Sequence, residues 1–480
     1  MPRVYIRTFG CQMNEQDSEI MRGLLRPQGY ESVSTPAEAD LILVNTCSVR
    51  ERAYQKAMSE IGRLNHGEKK QLIGVTGCVA SQEGENLLKR FHNIDFVLGT
   101  DHVGRLPGMV AQVQQSGKRV AVNDFVDLSD YEFPTPMEWG GRQKVKAYVT
   151  VMKGCDNTCS FCIVPFTRGK EVSRRPEEII AEIRNLTQQG VREVTLLGQN
   201  VNSYGKRLEP RISFAKLLRR IEAETSLDRI RFTSPHPKDL SKELIEEYGR
   251  NSRLCPHVHL PVQSGSNRLL KRMRRSYTRE SYLKKVESIR KVRPGIAMTT
   301  DLIVGFPGET EADFLETLEL VQTVGYDQIY SFIYSPRPET EAATFEDDVP
   351  LPVKRERLVR LEWLQEQMNR EKNQRRIALI EEVLVEGPSG EGGGQLTGRT
   401  PHGRIVNFDG GADLVGAIIK VMIKEATPYS LKGERWMEKP QPQRGVEGGT
   451  SPLVGEDVPK GQEGRMAHGG GEVSPNSNDD

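Results

Sequence analysis

Long apolar runs are missing from this 480-residue chain. No segment reaches the roughly 20 residues that a membrane-spanning helix needs, so no membrane partner is expected. A dominant charge is missing too: 67 Lys and Arg against 66 Asp and Glu leave +1, and bulk charge points to no partner. Cysteine is scarce and odd in number, seven in all, which argues against a complete disulfide set. His102 and His236, the nearest to the densest cysteine stretch, lie far from it, so a compact zinc knuckle is disfavoured. Met1-Pro2-Arg3-Val4-Tyr5 enters a strand at once, without a signal-peptide pattern. A cytoplasmic location is expected, where thiols stay reduced. No long internal repeat is visible.

What is present centres on Cys155, Cys159 and Cys162, spaced Cys-x3-Cys-x2-Cys. Three thiolates in one short loop can hold three corners of an iron–sulfur cube. No fourth cysteine follows, which leaves one iron open, and an open position separates a catalytic site from a closed structural one. Half of a zinc site and plain structural thiols are the blander alternatives.

Three more cysteines occupy equivalent places. Residues 4–9, 41–44, 72–75 and 95–98 read as strands, and 15–25 and 53–64 as helices. The continuous apolar runs imply a parallel sheet covered on both faces. Cys11, Cys47 and Cys78 each follow one of the first three strands. Ligands bind at the carboxyl ends of such strands, so these thiols converge on one rim and favour a second cluster. Three unrelated buried cysteines would not explain the shared placement.

Residues 112–142 are polar and contain Pro134 and Pro136, a linker composition. Six further strand and helix units begin at Val145 and suggest a partial TIM-like (βα)6 barrel, with chemistry at the strand carboxyl ends. The Cys155 loop directly follows its first strand. Short strands and glycine-rich turns over 376–439 suggest a small all-β barrel. Residues 440–480 are rich in Gly, Pro, Ser and charge and are expected to be disordered. The domain bounds expected are therefore 1–120, 141–373 and 376–439, followed by that tail. The charged stretches 268–279 and 354–376 read most simply as solvated helix faces. Cys255 reads as a small buried residue, His236 as a polar bracket of a strand end, and His257 and His259 as core or rim.

Together these motifs resemble the methylthiotransferase branch of the radical S-adenosylmethionine (SAM) enzymes. The resemblance rests on Thr8-Phe9-Gly10-Cys11-Gln12-Met13-Asn14, Asn45-Thr46-Cys47, Gly77-Cys78, and the stretch 153–174 around Cys155, Cys159 and Cys162. It covers nearly the whole chain except the tail. Ser81 departs from the glutamine common in that branch and puts no ligand in doubt. The resemblance implies that Cys155, Cys159 and Cys162 hold a 4Fe–4S cluster. Its open iron would chelate SAM, and its electron would cleave SAM to a 5′-deoxyadenosyl radical. Cys11, Cys47 and Cys78 would hold an auxiliary 4Fe–4S cluster that carries or presents sulfur. Gly198, Gln199 and Gln263 would contact SAM, and the C-terminal barrel would be a TRAM-like RNA-binding domain.

No side chain is assigned an acid or base role. The implied substrate is the adenosine 3′ of the anticodon in a tRNA anticodon loop, already isopentenylated on N6, which receives a methylthio group at C2. One SAM supplies the methyl group and another the radical. An electron donor such as flavodoxin or ferredoxin is implied, and a monomer is expected. Met273, Arg274, Arg275, Tyr277, Arg399 and Arg404 are candidate contacts to phosphate or base. Sister activities remain open, on a ribosomal protein side chain or on threonylcarbamoyladenosine in tRNA. A non-catalytic iron–sulfur RNA-binding protein or redox sensor is the alternative from another class. The SAM turn and the six-unit barrel argue against it.

Overall fold

The computed structural model describes residues 1–64, 71–134, 145–390 and 394–437. The tail at 440–480 and Pro136 lie outside them. Strand Leu41–Thr46 is buried along its whole length and sits centrally in a six-stranded sheet. The order is Glu31–Ser32, Arg3–Thr8, Leu41–Thr46, Leu72–Gly77, Phe96–Leu98, Val120–Val122, and every pairing is parallel. One face buries Ile42, Val44, Ile73 and Val75, and the other Leu41, Leu43, Phe96 and Leu98. Both faces being covered explains the unbroken apolar runs.

The expected linker begins too early. Helix Leu106–Ser116 and strand Val120–Val122 occupy its first part and extend the sheet. A three-residue strand is too short to show periodicity. Further along, Tyr131 lies against the second domain, with its ring 3.6 Å from the Lys153 ammonium.

The second domain has six parallel strands in two runs. Arg229–Phe232, Glu193–Leu197 and Lys146–Thr150 form one, and His257–His259, Ala297–Val304 and Gln328–Ile333 the other. The runs join where Ile230 pairs with Leu254, in the segment just before His257–His259. Outward side chains such as Val194, Leu196, Ile230, Val258 and Met298 pack into the surrounding helices. Inward ones include the polar Thr195, Arg231, His257, His259 and Asp301, with Ile303 and Phe332 beside them, and face a cavity of about 2380 Å³. A closed TIM barrel fills its centre with apolar side chains. This one stays hollow.

Helix Leu351–Gln374 corrects the solvated-face reading of 354–376. Lys354 and Arg357 are buried, paired with Asp347 at 2.6 Å and Glu309 at 2.7 Å. The C-terminal barrel closes with five strands, Ile380–Pro388, Gln395–Arg399, Ile405–Asp409, Leu431–Arg435 and Ile418–Ala426. Arg229 donates to the Arg399 carbonyl (2.8 Å) and Arg231 to the Thr400 carbonyl (2.9 Å), which docks it on the second domain. Arg404 pairs with Asp327 at 2.7 Å in the same contact and is not a free RNA-binding side chain.

The N-terminal sheet and the second domain are pinned by buried ion pairs, Lys153 with Asp101 (2.5 Å) and Arg168 with Asp17 (2.7 Å). Removing one partner of such a pair strands a charge away from water. We therefore expect Arg168→Met to cost about 3–5 kcal/mol in chemical denaturation of the metal-free protein. Adding Asp17→Asn should recover part of that loss, because it removes the stranded charge.

Candidate active site

The three N-terminal thiols meet because three strand ends are drawn together. Cys11 caps helix Gln12–Leu25, Cys47 follows strand Leu41–Thr46, and Cys78 opens helix Cys78–Glu83. Asn14 donates to the carbonyls of Phe9 (2.8 Å) and Thr46 (2.7 Å). Asn45 returns a bond to the Asn14 carbonyl at 2.8 Å, and Thr46 bonds the Thr76 carbonyl at 2.6 Å. The asparagines of both motifs thus tie loop to loop. The glycines permit the approach. At Gly10, with φ +120°, an added Cβ would stand 2.4 Å from Cβ of Cys47. At Gly77, with φ +88°, it would stand 2.4 Å from the Thr46 carbonyl oxygen. Neither position accepts a side chain.

The second triad lies on the loop after strand Lys146–Thr150. Gly154 turns it with φ +76°, where a Cβ would sit 2.0 Å from the Lys170 carbonyl oxygen. Gln199 accepts from the Gly154 amide at 2.5 Å, so the turn after strand Glu193–Leu197 braces the loop. Ser160 ties it on the other side, its amide to the Met273 carbonyl (3.1 Å) and its hydroxyl to the Arg272 carbonyl (2.9 Å). Asn157 and Arg275 aim donors at Cys155 and Cys159, at 3.5 and 3.3 Å from sulfur.

The cavity inside the barrel touches Cys11 and Cys47 on one side and Cys162 on the other, and also Gly198, Gln199 and Gln263. Gly198 is required by packing, since its Cβ would meet Met152 at 2.5 Å. Gln263 holds φ +73° and bridges to Leu302. His236 accepts the Lys238 amide through Nδ1 (3.1 Å), the bracket role expected of it. His257 and His259 line the cavity, and Cys255 is buried beside Arg231.

Burial pushes the Cys47 and Cys162 thiols up to about 12 and Cys155 to about 11; neighbouring thiols add to this for all three. Burial raises Cys11 as well, against the pull of Arg168. A metal displaces such protons and takes the thiolate. Among the described residues, no three His, Cys, Asp or Glu side chains close tightly enough to hold a single ion. A cube binds each thiolate at a separate iron, so three neighbouring thiols that do not converge on one point still fit a cluster.

Sequence reasoning missed Arg168 as part of the site. It ends helix Val164–Arg168, which starts just after Cys162, and its guanidinium reaches Asn14 (2.8 Å) and Asp17 behind Cys11. One short helix therefore links the two triads. Its Thr-Arg-Gly ending was the signal, with Arg168 the first charge after Asp156. Sequence reasoning also placed Met273, Arg275 and Tyr277 at an RNA surface. Met273 and Arg275 are buried, and Tyr277 is half-buried with its hydroxyl bonded to the Val262 carbonyl at 2.9 Å. Arg274 alone points outward, and it pairs with Glu341 at 2.6 Å.

Family models match three parts of the chain. These are uncharacterized protein family UPF0004 at residues 3–99, the radical SAM superfamily at 149–321 and the TRAM domain at 379–435. The tRNA-2-methylthio-N(6)-dimethylallyladenosine synthase of Geobacter metallireducens is 52% identical over 90% of this chain and 98% of that protein. The enzyme of the same name from Syntrophotalea carbinolica is 48% identical over 91% of this chain and 100% of that protein. Among solved structures, the radical SAM methyltransferase TsrM from Kitasatospora setae shares the fold. Its TM-score is 0.52 at 15% identity, with 72% of this chain and 74% of that chain covered. The chain belongs to the tRNA-2-methylthio-N(6)-dimethylallyladenosine synthase family, within the radical SAM superfamily.

Proposed function

We propose that this chain replaces the C2 hydrogen of N6-isopentenyladenosine in tRNA with a methylthio group, using SAM. The observation that carries the reading is one cavity lined by Cys11 and Cys47 of one thiol triad and by Cys162 of the other, in a chain of this family. Cys155, Cys159 and Cys162 would hold the SAM-binding 4Fe–4S cluster, and Cys11, Cys47 and Cys78 the auxiliary one. Bound there, the clusters supply one-electron SAM cleavage and a sulfur source, chemistry that no side chain offers at an inert C–H bond.

The chain's own part is placement. Gln199 fixes the Cys155 loop through the Gly154 amide, and Gly198 and Gln263 bound the same space for SAM. Arg168 sets the N-terminal triad against the helix of Cys162. His259, Asp301 and Tyr330 line the hollow interior and offer polar groups to an entering base. Tyr429, 66% exposed on the small barrel, lines the cavity from that side and offers a stacking face to RNA. A loop nucleotide leaves its stack at lower cost than a paired one, which suits the adenosine beside the anticodon. A low-potential carrier such as flavodoxin or ferredoxin would deliver the electron to a monomeric enzyme.

Two outcomes are expected. Anaerobically reconstituted protein should bind about eight irons, four per cube. Changing Cys155, Cys159 and Cys162 together to Ala should halve that and abolish SAM cleavage; unchanged iron would refute the assignment. Cys47→Ala should separate the half-reactions. Its holoprotein should still release 5′-deoxyadenosine, yet make no methylthio nucleoside on isopentenyladenosine-containing tRNA. Mass spectrometry of digested tRNA and of the small-molecule fraction reads both. Normal methylthiolation by this variant would sink the two-cluster reading.

A further inference from the structure

We propose that Arg275 tunes the SAM-cleaving site: as a positioning residue, its guanidinium stabilises the Cys159 thiolate and raises the reduction potential of the cluster held there. The inference rests on the assignment of Cys155, Cys159 and Cys162 proposed above.

Arg275 is 5% exposed and makes three directed contacts. Nε donates to the Tyr277 hydroxyl at 2.9 Å, Nη2 to the Pro261 carbonyl at 3.0 Å, and Nη1 to Cys159 Sγ at 3.3 Å. Tyr277 in turn donates to the Val262 carbonyl at 2.9 Å. Two contacts fix the fork on neutral acceptors, and the third aims an N–H at a ligand sulfur. No carboxylate takes part in these three contacts, so among them Cys159 Sγ is the one acceptor that becomes anionic as a cluster ligand.

The backbone is bent to make this contact. Arg274 and Ser276, on either side, both hold φ +56°. Left-handed conformation strains a non-glycine residue, and such strain persists only where its surroundings enforce it. The Arg275 amide bonds the Leu270 carbonyl at 2.9 Å, which turns the side chain inward. Ser160 bonds the carbonyls of Arg272 and Met273, so the same segment fixes the loop that carries Cys159. Arginine and thiol are thus held in register by one brace.

The electrostatic consequence has a definite sign. Reduction adds one electron from a low-potential donor and makes the site more negative. A buried cation with a hydrogen bond to a ligand sulfur stabilises the reduced form more than the oxidised one, so the potential rises. A purely structural arginine would leave the potential unmoved.

The test is an anaerobic redox titration of reconstituted holoprotein with dithionite and mediators, followed by electron paramagnetic resonance. The signal that changes when SAM is added identifies the SAM-binding cluster. We expect Arg275→Met to lower its reduced-to-oxidised ratio at least tenfold at fixed potential, a downward shift of about 59 mV for one electron. Arg275→Lys, which keeps charge but loses the fork, should shift it less, and Tyr277→Phe less again. The auxiliary signal should not move. If Arg275→Met fails to hold iron, the Lys and Phe variants carry the test. Unchanged potentials in the iron-loaded variants would overturn the proposal, and with weakened SAM binding would make Arg275 a SAM ligand instead. Iron loss from all three would overturn it by making Arg275 a residue of the fold. Wild-type protein without any SAM-sensitive signal would overturn the functional reading and this inference together.

Discussion

The buried pairing of Arg168 with Asp17 and Asn14 fixes where the two thiol triads stand relative to each other. Arg168 belongs to the radical SAM domain, as the last residue of the helix that follows Cys162; its partners lie on the helix that Cys11 caps. Lys153 and Asp101 form a second such pair just before the Cys155 loop. Both pairs are dry, and each charge would be expensive alone. The domains are therefore locked in one arrangement rather than simply pressed together. Shape complementarity between apolar surfaces could slide; paired charges fix the register. The shared cavity, and with it any reaction that needs both triads, depends on that register.

Much of this was legible from residues. Strand-like runs each followed within a few residues by a cysteine pointed to a covered parallel sheet with thiols on one rim, and the six central strands carried similar signals. Other features escaped for identifiable reasons. Glu31–Ser32 and Val120–Val122 are too short to show a period, so the sheet looked narrower and the linker longer than they are. Arg275 and Tyr277 sit in a basic stretch that looks like an RNA surface, and nothing in composition reveals that Arg274 and Ser276 turn the chain left-handed and point Arg275 inward. Arg357 likewise belongs to a charged helix whose run looks solvated, yet its charge is spent on Glu309. Sequence shows which residues carry charge. Which of those charges are turned inward is a tertiary fact.

The glycines of the site divide by purpose. Gly10 and Gly77 let neighbouring strand ends close to within a side chain's width, whereas Gly154 lets the Cys155 loop fold back on Lys170. At Gly10 the missing Cβ is directly a distance condition on the Cys47 side chain; at Gly77 and Gly154 it lets backbone segments beside the cysteines close. In the first two motifs Asn14, behind Cys11, and Asn45, ahead of Cys47, bond the loops so formed.

The hollow barrel separates two demands that most proteins must meet with the same residues. Its cohesion comes from the outward side chains, Val194, Leu196, Ile230 and Met298 among them, packed beneath the helices. Its inward side chains contribute little to that core and face open space. A change at Thr195, His257 or Asp301 therefore alters what the interior recognises while leaving most of the apolar packing in place. Mutational drift on the inner surface is cheap and on the outer surface costly. An architecture of this kind can acquire new substrates one inward residue at a time, without first having to be stabilised against the loss of its core.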